Sequence, residues 1–223
     1  MSIDLRREGR VFVLMMNAGE NRLNRSFLSA FNAALDEVEA ASGPAALVTV
    51  GADVKFYSNG LDLVWMGGPG QAETTTFLAD VHRLFARLLS CPLPSVAAIN
   101  GHAFAAGAML ALAQDFRLMR ADRGFFCLPE VDINLPLSPG MLALIRAKFD
   151  VTTIADLVLT GRRVGGTEAA ARRIVDEATS AEELLNRAVT RADQLAIKDR
   201  TTYGALKRGL YAAAIEVLNG SRQ

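Results

Sequence analysis

Short apolar runs alternate along this chain with longer stretches in which apolar residues recur every three or four positions. Val11–Met16, Ala46–Val50, Ser95–Ile99 and Phe116–Met119 have strand length and no interruption by charge, apart from Arg117. Phe27, Leu28, Phe31, Leu35 and Val38 follow helical spacing, as do Phe77, Leu78, Val81, Leu84, Phe85, Leu88 and Leu89. Pro92 ends the second of these helices, because its ring removes a donor and clashes with the preceding turn. Ser180 and Glu183 form a capping-box pattern that opens a helix running to about Ile197. Thr202–Leu218 reads as one last helix. Strands alternating with helices predict an α/β fold. The chain has no low-complexity tract and no fixed-period repeat.

Composition narrows the function class. The chain has 223 residues, 51% hydrophobic, with 24 basic and 24 acidic side chains. That length supports one sizeable core with an appendage. Zero net charge gives no long-range attraction to nucleic acid or an anionic membrane, so neither is expected as a partner. No apolar run is long enough to span a bilayer. Ser221, Arg222 and Gln223 share the start of a peroxisomal tripeptide, but Gln223 breaks it, and the expected location is cytoplasmic. Cys91 and Cys127 sit in apolar company and read as reduced packing thiols. His82 reads as a surface residue of its helix, and His102 as support for the loop that follows it. Neither has metal-ligand company, so no metal is expected.

The candidate chemistry concentrates between Gly101 and Gly140. Ala105, Ala106 and Gly107 are small enough to let a ligand approach the main chain. A helix over Ala105–Ala113 would leave its first N–H groups without intrahelical partners. Glu130 lies among Leu128, Pro129 and Val131, surroundings that raise a carboxyl pKa and suit proton transfer. An oxyanion site facing one base fits these residues. So does a close-packed Ala/Gly helix followed by a strand whose Glu130 faces water. On such a strand Glu130 and Asp132 would share a face. Gly67–Gly70 lacks the lysine of a phosphate loop and reads as a mobile segment, bordering an acyl pocket together with Trp65 and Met66.

Four blocks in unbroken order give the chain a family resemblance. Lys55–Leu63 resembles the first oxyanion-hole motif of the crotonase superfamily, the enoyl-CoA hydratases and isomerases. Gly101–Asp115 resembles the second, Phe126–Ile133 the segment carrying the catalytic glutamate, and Leu159–Arg163 with Ala169–Asp176 the block that follows. The resemblance implies a spiral of ββα turns over residues 1–176. It also implies a helical region over 177–223 that assembles trimers, often paired into hexamers. It further implies backbone oxyanion donors at Leu61 and Ala106, with Glu130 catalytic. Lys55, Ser58, Asn59, Gly60 and Asp62 fall where the family holds coenzyme A, and Met109 where it lines the acyl site. Coenzyme A would belong to the substrate, with no separate cofactor.

The same resemblance separates reactions. Hydratases carry a second glutamate at the position of Met109, and dienoyl-CoA isomerases carry acids at those of Met109 and Ser138. One carboxylate with an oxyanion hole is the pattern of the Δ3,Δ2-enoyl-CoA isomerases of fatty-acid β-oxidation, walled here by Met109, Leu128 and Leu137. A hydratase with another water-activating group and an inactive acyl-CoA-binding protein are the alternatives, since one scaffold hosts many reactions.

Overall fold

The computed structural model describes residues 2–220; the tripeptide at 221–223 lies outside them. In chain order, β1 (Ile3–Glu8) and β2 (Val11–Met16) form a hairpin, and α1 (Arg25–Ala40) leads to β3 (Ala46–Gly51) and β4 (Phe56–Ser58). Next come α2 (Leu63–Gly67), α3 (Thr74–Ser90), β5 (Ser95–Ile99), β6 (His102–Phe104) and α4 (Ala106–Leu112). A third turn follows with β7 (Phe116–Arg120), β8 (Phe126–Cys127), α5 (Pro139–Lys148), α6 (Val151–Thr160) and α7 (Gly166–Ala171). The chain closes with β9 (Glu177–Thr179), α8 (Ala181–Ala196), α9 (Arg200–Leu210) and α10 (Ala212–Leu218).

Two sheets result. The larger has the order β1-β2-β3-β5-β7-β9, parallel except for the first hairpin. The smaller, β4-β6-β8, is parallel throughout. Each β3–β4, β5–β6 and β7–β8 pair places one strand in each sheet, then a helix. These are the expected ββα turns.

The apolar strand runs are explained by burial on both faces, the usual condition of a parallel sheet. Val11, Val13, Val48, Val96 and Leu118 face α8, through Leu184, Ala188, Ala192 and Ala196. Phe12, Leu14, Met16, Leu47 and Ala97 face the opposite way, into the core shared with α1, α3 and α4. Successive side chains therefore meet different helical layers.

Three local expectations change. Glu130 is not on a strand: β8 ends at Cys127, and Glu130 opens a turn in which Asp132 and Ile133 donate to Pro129 O. Glu130 and Asp132 consequently share no strand face. The last helix is two, broken at Tyr211, whose hydroxyl accepts from Lys148 Nζ at 2.9 Å. Residues after 176 do not stand apart, because β9 extends the main sheet and α8 covers one face of it. Ser180 does cap α8, accepting from Glu183 N.

Candidate active site

The site lies where the second and third turns meet the loop after β4. Asn21 and the β4 end fix that loop: Asn21 Nδ2 donates to Tyr57 O at 3.0 Å, and Ser58 Oγ donates to Asn21 O at 2.7 Å. A parallel bridge joins Leu23 to Leu61. It uses Gly60 O and Asp62 N, at 2.8 and 2.9 Å from Leu23, and leaves the Leu61 N–H out of the ladder.

Gly60 makes the approach to α4 possible. Its φ is +83°, and a Cβ there would lie 2.9 Å from Phe104 O and 3.2 Å from Ala106 N. Only a glycine fits both constraints. Across this contact Ala105 adopts φ +51°, ψ −125°, held by Ala105 N donating to Cys127 O at 3.0 Å. Non-glycine residues rarely adopt that conformation, and it costs about 1–3 kcal/mol. Met109 N donates to Ala105 O, which starts the helix and leaves Ala106 N–H in the first turn without an intrahelical acceptor.

A cavity of about 200 Å³ lies against these residues, and Leu61, Ala105, Ala106 and Glu130 line it together. Asn59 and Arg22 stand on its polar side; Ile133, Leu137 and Met141 supply apolar wall. Glu130 is 7% exposed, and Oε2 has no hydrogen-bond partner among the described residues. Burial pushes its pKa from 4.5 up to about 7. A carboxyl with one unpartnered oxygen, poised near neutrality in a cleft, has the properties of a general base.

The remaining expected contacts divide. Asn59 lines the cavity, with its amide donating to Glu20 Oε2 at 3.0 Å. Ser58 is buried and spent on Asn21, while Asp62 caps α2 by accepting from Trp65 N at 3.0 Å. Lys55 is exposed, its Nζ 5.1 Å from the Phe56 ring. Neither Lys55, Ser58, Gly60 nor Asp62 lines the cavity. Met109 and Leu128 are wholly buried in the core below it, so of the three expected walls only Leu137 reaches the space. Helical spacing put Met109 on the Ala106 face; packing closes over it. Trp65 stacks edge-on to Phe77 at 4.9 Å, and the Gly70 backbone presses against the Trp65 ring. Gly67, Gly68 and Pro69 are exposed, and neither they nor Trp65 and Met66 line the cavity.

His82 is half-buried instead of at the surface. Its Nε2 pairs with Ser138 Oγ at 2.8 Å, and Ser138 accepts from Met141 N to cap α5. Burial lowers the His82 pKa. The pair ties α3 to the end of the Glu130 loop, a link between residues 56 positions apart that no local pattern reveals. His102 packs among Phe56, Phe104 and Phe125. Cys127 is buried, its thiol pushed up to about 11 by burial, which fits packing. Among the described residues, no cluster of three or more His, Cys, Asp or Glu is placed to hold a metal, and no helix is long and apolar enough to cross a membrane.

A six-stranded and a three-stranded sheet wound together by ββα turns define the crotonase fold. The human mitochondrial delta3-delta2-enoyl-CoA isomerase superposes with a TM-score of 0.92 at 22% identity, covering 98% of this chain and 86% of that one. A probable enoyl-CoA hydratase of Mycobacterium tuberculosis gives 0.91 at 26% identity, over 99% and 92%. The sequence profile of the enoyl-CoA hydratase/isomerase family matches residues 6–223, and the chain belongs to that family. It is 32% identical to enoyl-CoA delta isomerase 2, peroxisomal, of Arabidopsis thaliana over 96% of this chain and 94% of the relative. It is 33% identical to enoyl-CoA delta isomerase 3 of the same plant, over 93% and 91%.

Proposed function

We propose that this chain is a Δ3,Δ2-enoyl-CoA isomerase with Glu130 as its single proton carrier. The observation that carries the reading is one buried carboxyl with an unpartnered oxygen, near neutrality, in a small cavity that Leu61 and Ala106 also line. The plant relatives named as isomerases over nearly the whole chain add to it.

In this mechanism the thioester oxygen of a 3-enoyl-CoA accepts from the N–H groups of Leu61 and Ala106. Ionised Glu130 removes a proton from C2, and the C2 electron pair moves onto the oxygen to give a dienolate. Glu130, now neutral, returns the proton to C4 as the oxygen electrons reform the carbonyl and the double bond settles at C2–C3. The atoms balance with one group and no cofactor. Two donors aimed at the developing charge matter most, since loss of one costs about 3–4 kcal/mol. Apolar Ile133, Leu137 and Met141 disfavour a water beside C3.

Water addition is the second reading, and similarity to the carnitinyl-CoA dehydratase of Escherichia coli, 36% identical over 72% of this chain, is its support. No second carboxylate lines the cavity among the described residues, which favours isomerisation. We further propose assembly as a homotrimer or hexamer, with exposed Leu206 and Leu210 on α9 as candidate contact residues. Two Arabidopsis relatives are named peroxisomal, which gives no support to a cytoplasmic location.

The test is to incubate the protein with 3-enoyl-CoA and 2-enoyl-CoA separately and identify the products. The 2-enoyl isomer is expected from the first, and Glu130→Gln should abolish its formation while acyl-CoA binding persists. Hydration of 2-enoyl-CoA faster than isomerisation of 3-enoyl-CoA would replace the reading with a hydratase. Binding without turnover of either would replace it with an inactive acyl-CoA carrier.

A further inference from the structure

A larger groove of about 760 Å³ adjoins the cavity at Glu130. The two share Glu130, Leu135, Pro136 and Leu137, which puts the groove beside the base. Val151, Ile154, Val158 and Leu159 of α6 make its far wall, and Leu142 of α5 its near one. Beyond Glu130 and Asn134, one polar side chain lines it: Arg146. Arg146 is exposed and has no ion-pair or hydrogen-bond partner among the described residues. It lies five residues past Met141, which lines the inner cavity, hence about 7–8 Å further along α5. A cation in the last turn suits the helix dipole. The dipole does not explain why this cation is set in the wall of an otherwise apolar groove.

An alkyl tail running through the groove leaves that guanidinium without a partner. A tail that ends in a carboxylate covers the apolar walls with its methylenes and meets Arg146 with its terminus, in the fork geometry guanidinium and carboxylate share. We propose that the groove takes the distal acyl chain and that Arg146 selects chains ending in a carboxylate, which makes ω-carboxy 3-enoyl-CoA thioesters the preferred substrate class. The inference rests on the isomerase reading for the word substrate, but the binding preference stands without turnover.

Calorimetric titration with saturated acyl-CoA and ω-carboxyacyl-CoA of matched length, over a series of lengths, separates the two. Wild-type protein should bind the ω-carboxy thioester roughly threefold to fivefold tighter once the chain reaches Arg146, the upper range of an exposed ion pair. Shorter chains should show no preference. Arg146→Gln should bring the ratio within twofold, Arg146→Lys should retain part of it, and added salt should shrink it in wild type. A wild-type ratio of one at every length overturns the proposal, including where a second copy of the chain covers the groove. A ratio unchanged in Arg146→Gln also overturns it. If the preference appears while 3-enoyl-CoA is not isomerised, the catalytic reading fails and the selection by Arg146 survives.

Discussion

Replacing Glu130 by glutamine removes the ionisable group and keeps its shape, which makes the energetic cost of the base measurable. The carboxyl is 7% exposed, Oε2 has no partner, and burial lifts the pKa from 4.5 to about 7. The folded chain therefore holds this proton more tightly than the unfolded chain does. The stability that results is fully present below about pH 4.5 and is lost as pH rises through 7. A displacement of this size corresponds to about 3 kcal/mol once both states are ionised. About 2 kcal/mol of it accrues between roughly pH 5.5 and pH 8.5. Glutamine cannot ionise, so the variant escapes this loss, and its stability relative to wild type should grow by that amount across the interval. Taking the difference between two pH values cancels whatever the amide gains or loses in packing. Urea unfolding of both proteins at the two pH values supplies the numbers, provided the denaturant slopes agree. A gap that does not widen toward alkaline pH refutes the buried carboxyl of raised pKa on which the mechanism depends. The expected result is also a stability–activity trade-off: the variant most stable at high pH is the one without a base.

Two further outcomes test the same geometry. For 3-enoyl-CoA, kcat/KM should rise about tenfold per pH unit below 7 and level off above it, since only ionised Glu130 accepts the C2 proton; a profile flat from about pH 5 to pH 8 contradicts this. Gly60→Ala forces a Cβ to within 2.9 Å of Phe104 O at a φ of +83°, displacing Leu61 and Ala106 relative to each other. Its kcat should fall about a hundredfold, and turnover within threefold of wild type would separate Gly60 from the oxyanion geometry.

Local pattern determined the parts of this protein whose cause is local. Val11–Met16, Ala46–Gly51 and Ser95–Ile99 are continuous apolar runs because a parallel sheet covered on both faces needs them, and Ser180 with Glu183 caps a helix within four residues. Glu130 stands out locally as a carboxylate among apolar residues, whereas Leu61 and Ala106 are identified only through the resemblance of short blocks to the crotonase family; the structure brings the three to one cavity. Strands β4, β6 and β8 have two or three residues and carry no period, and Glu130 sits in a turn fixed by Pro129 O instead of a ladder. The tertiary structure alone decided that Met109 is sealed in the core, that Ser58 is spent on Asn21, that Asp62 accepts from Asn24, and that His82 holds Ser138. Each depends on which distant element arrives opposite, and hydrogen bonds and close packing across 37 to 56 residues leave no trace in spacing. The groove lined by Arg146 belongs to the same class: its walls come from a loop and two helices whose apolar residues read, one element at a time, as ordinary core.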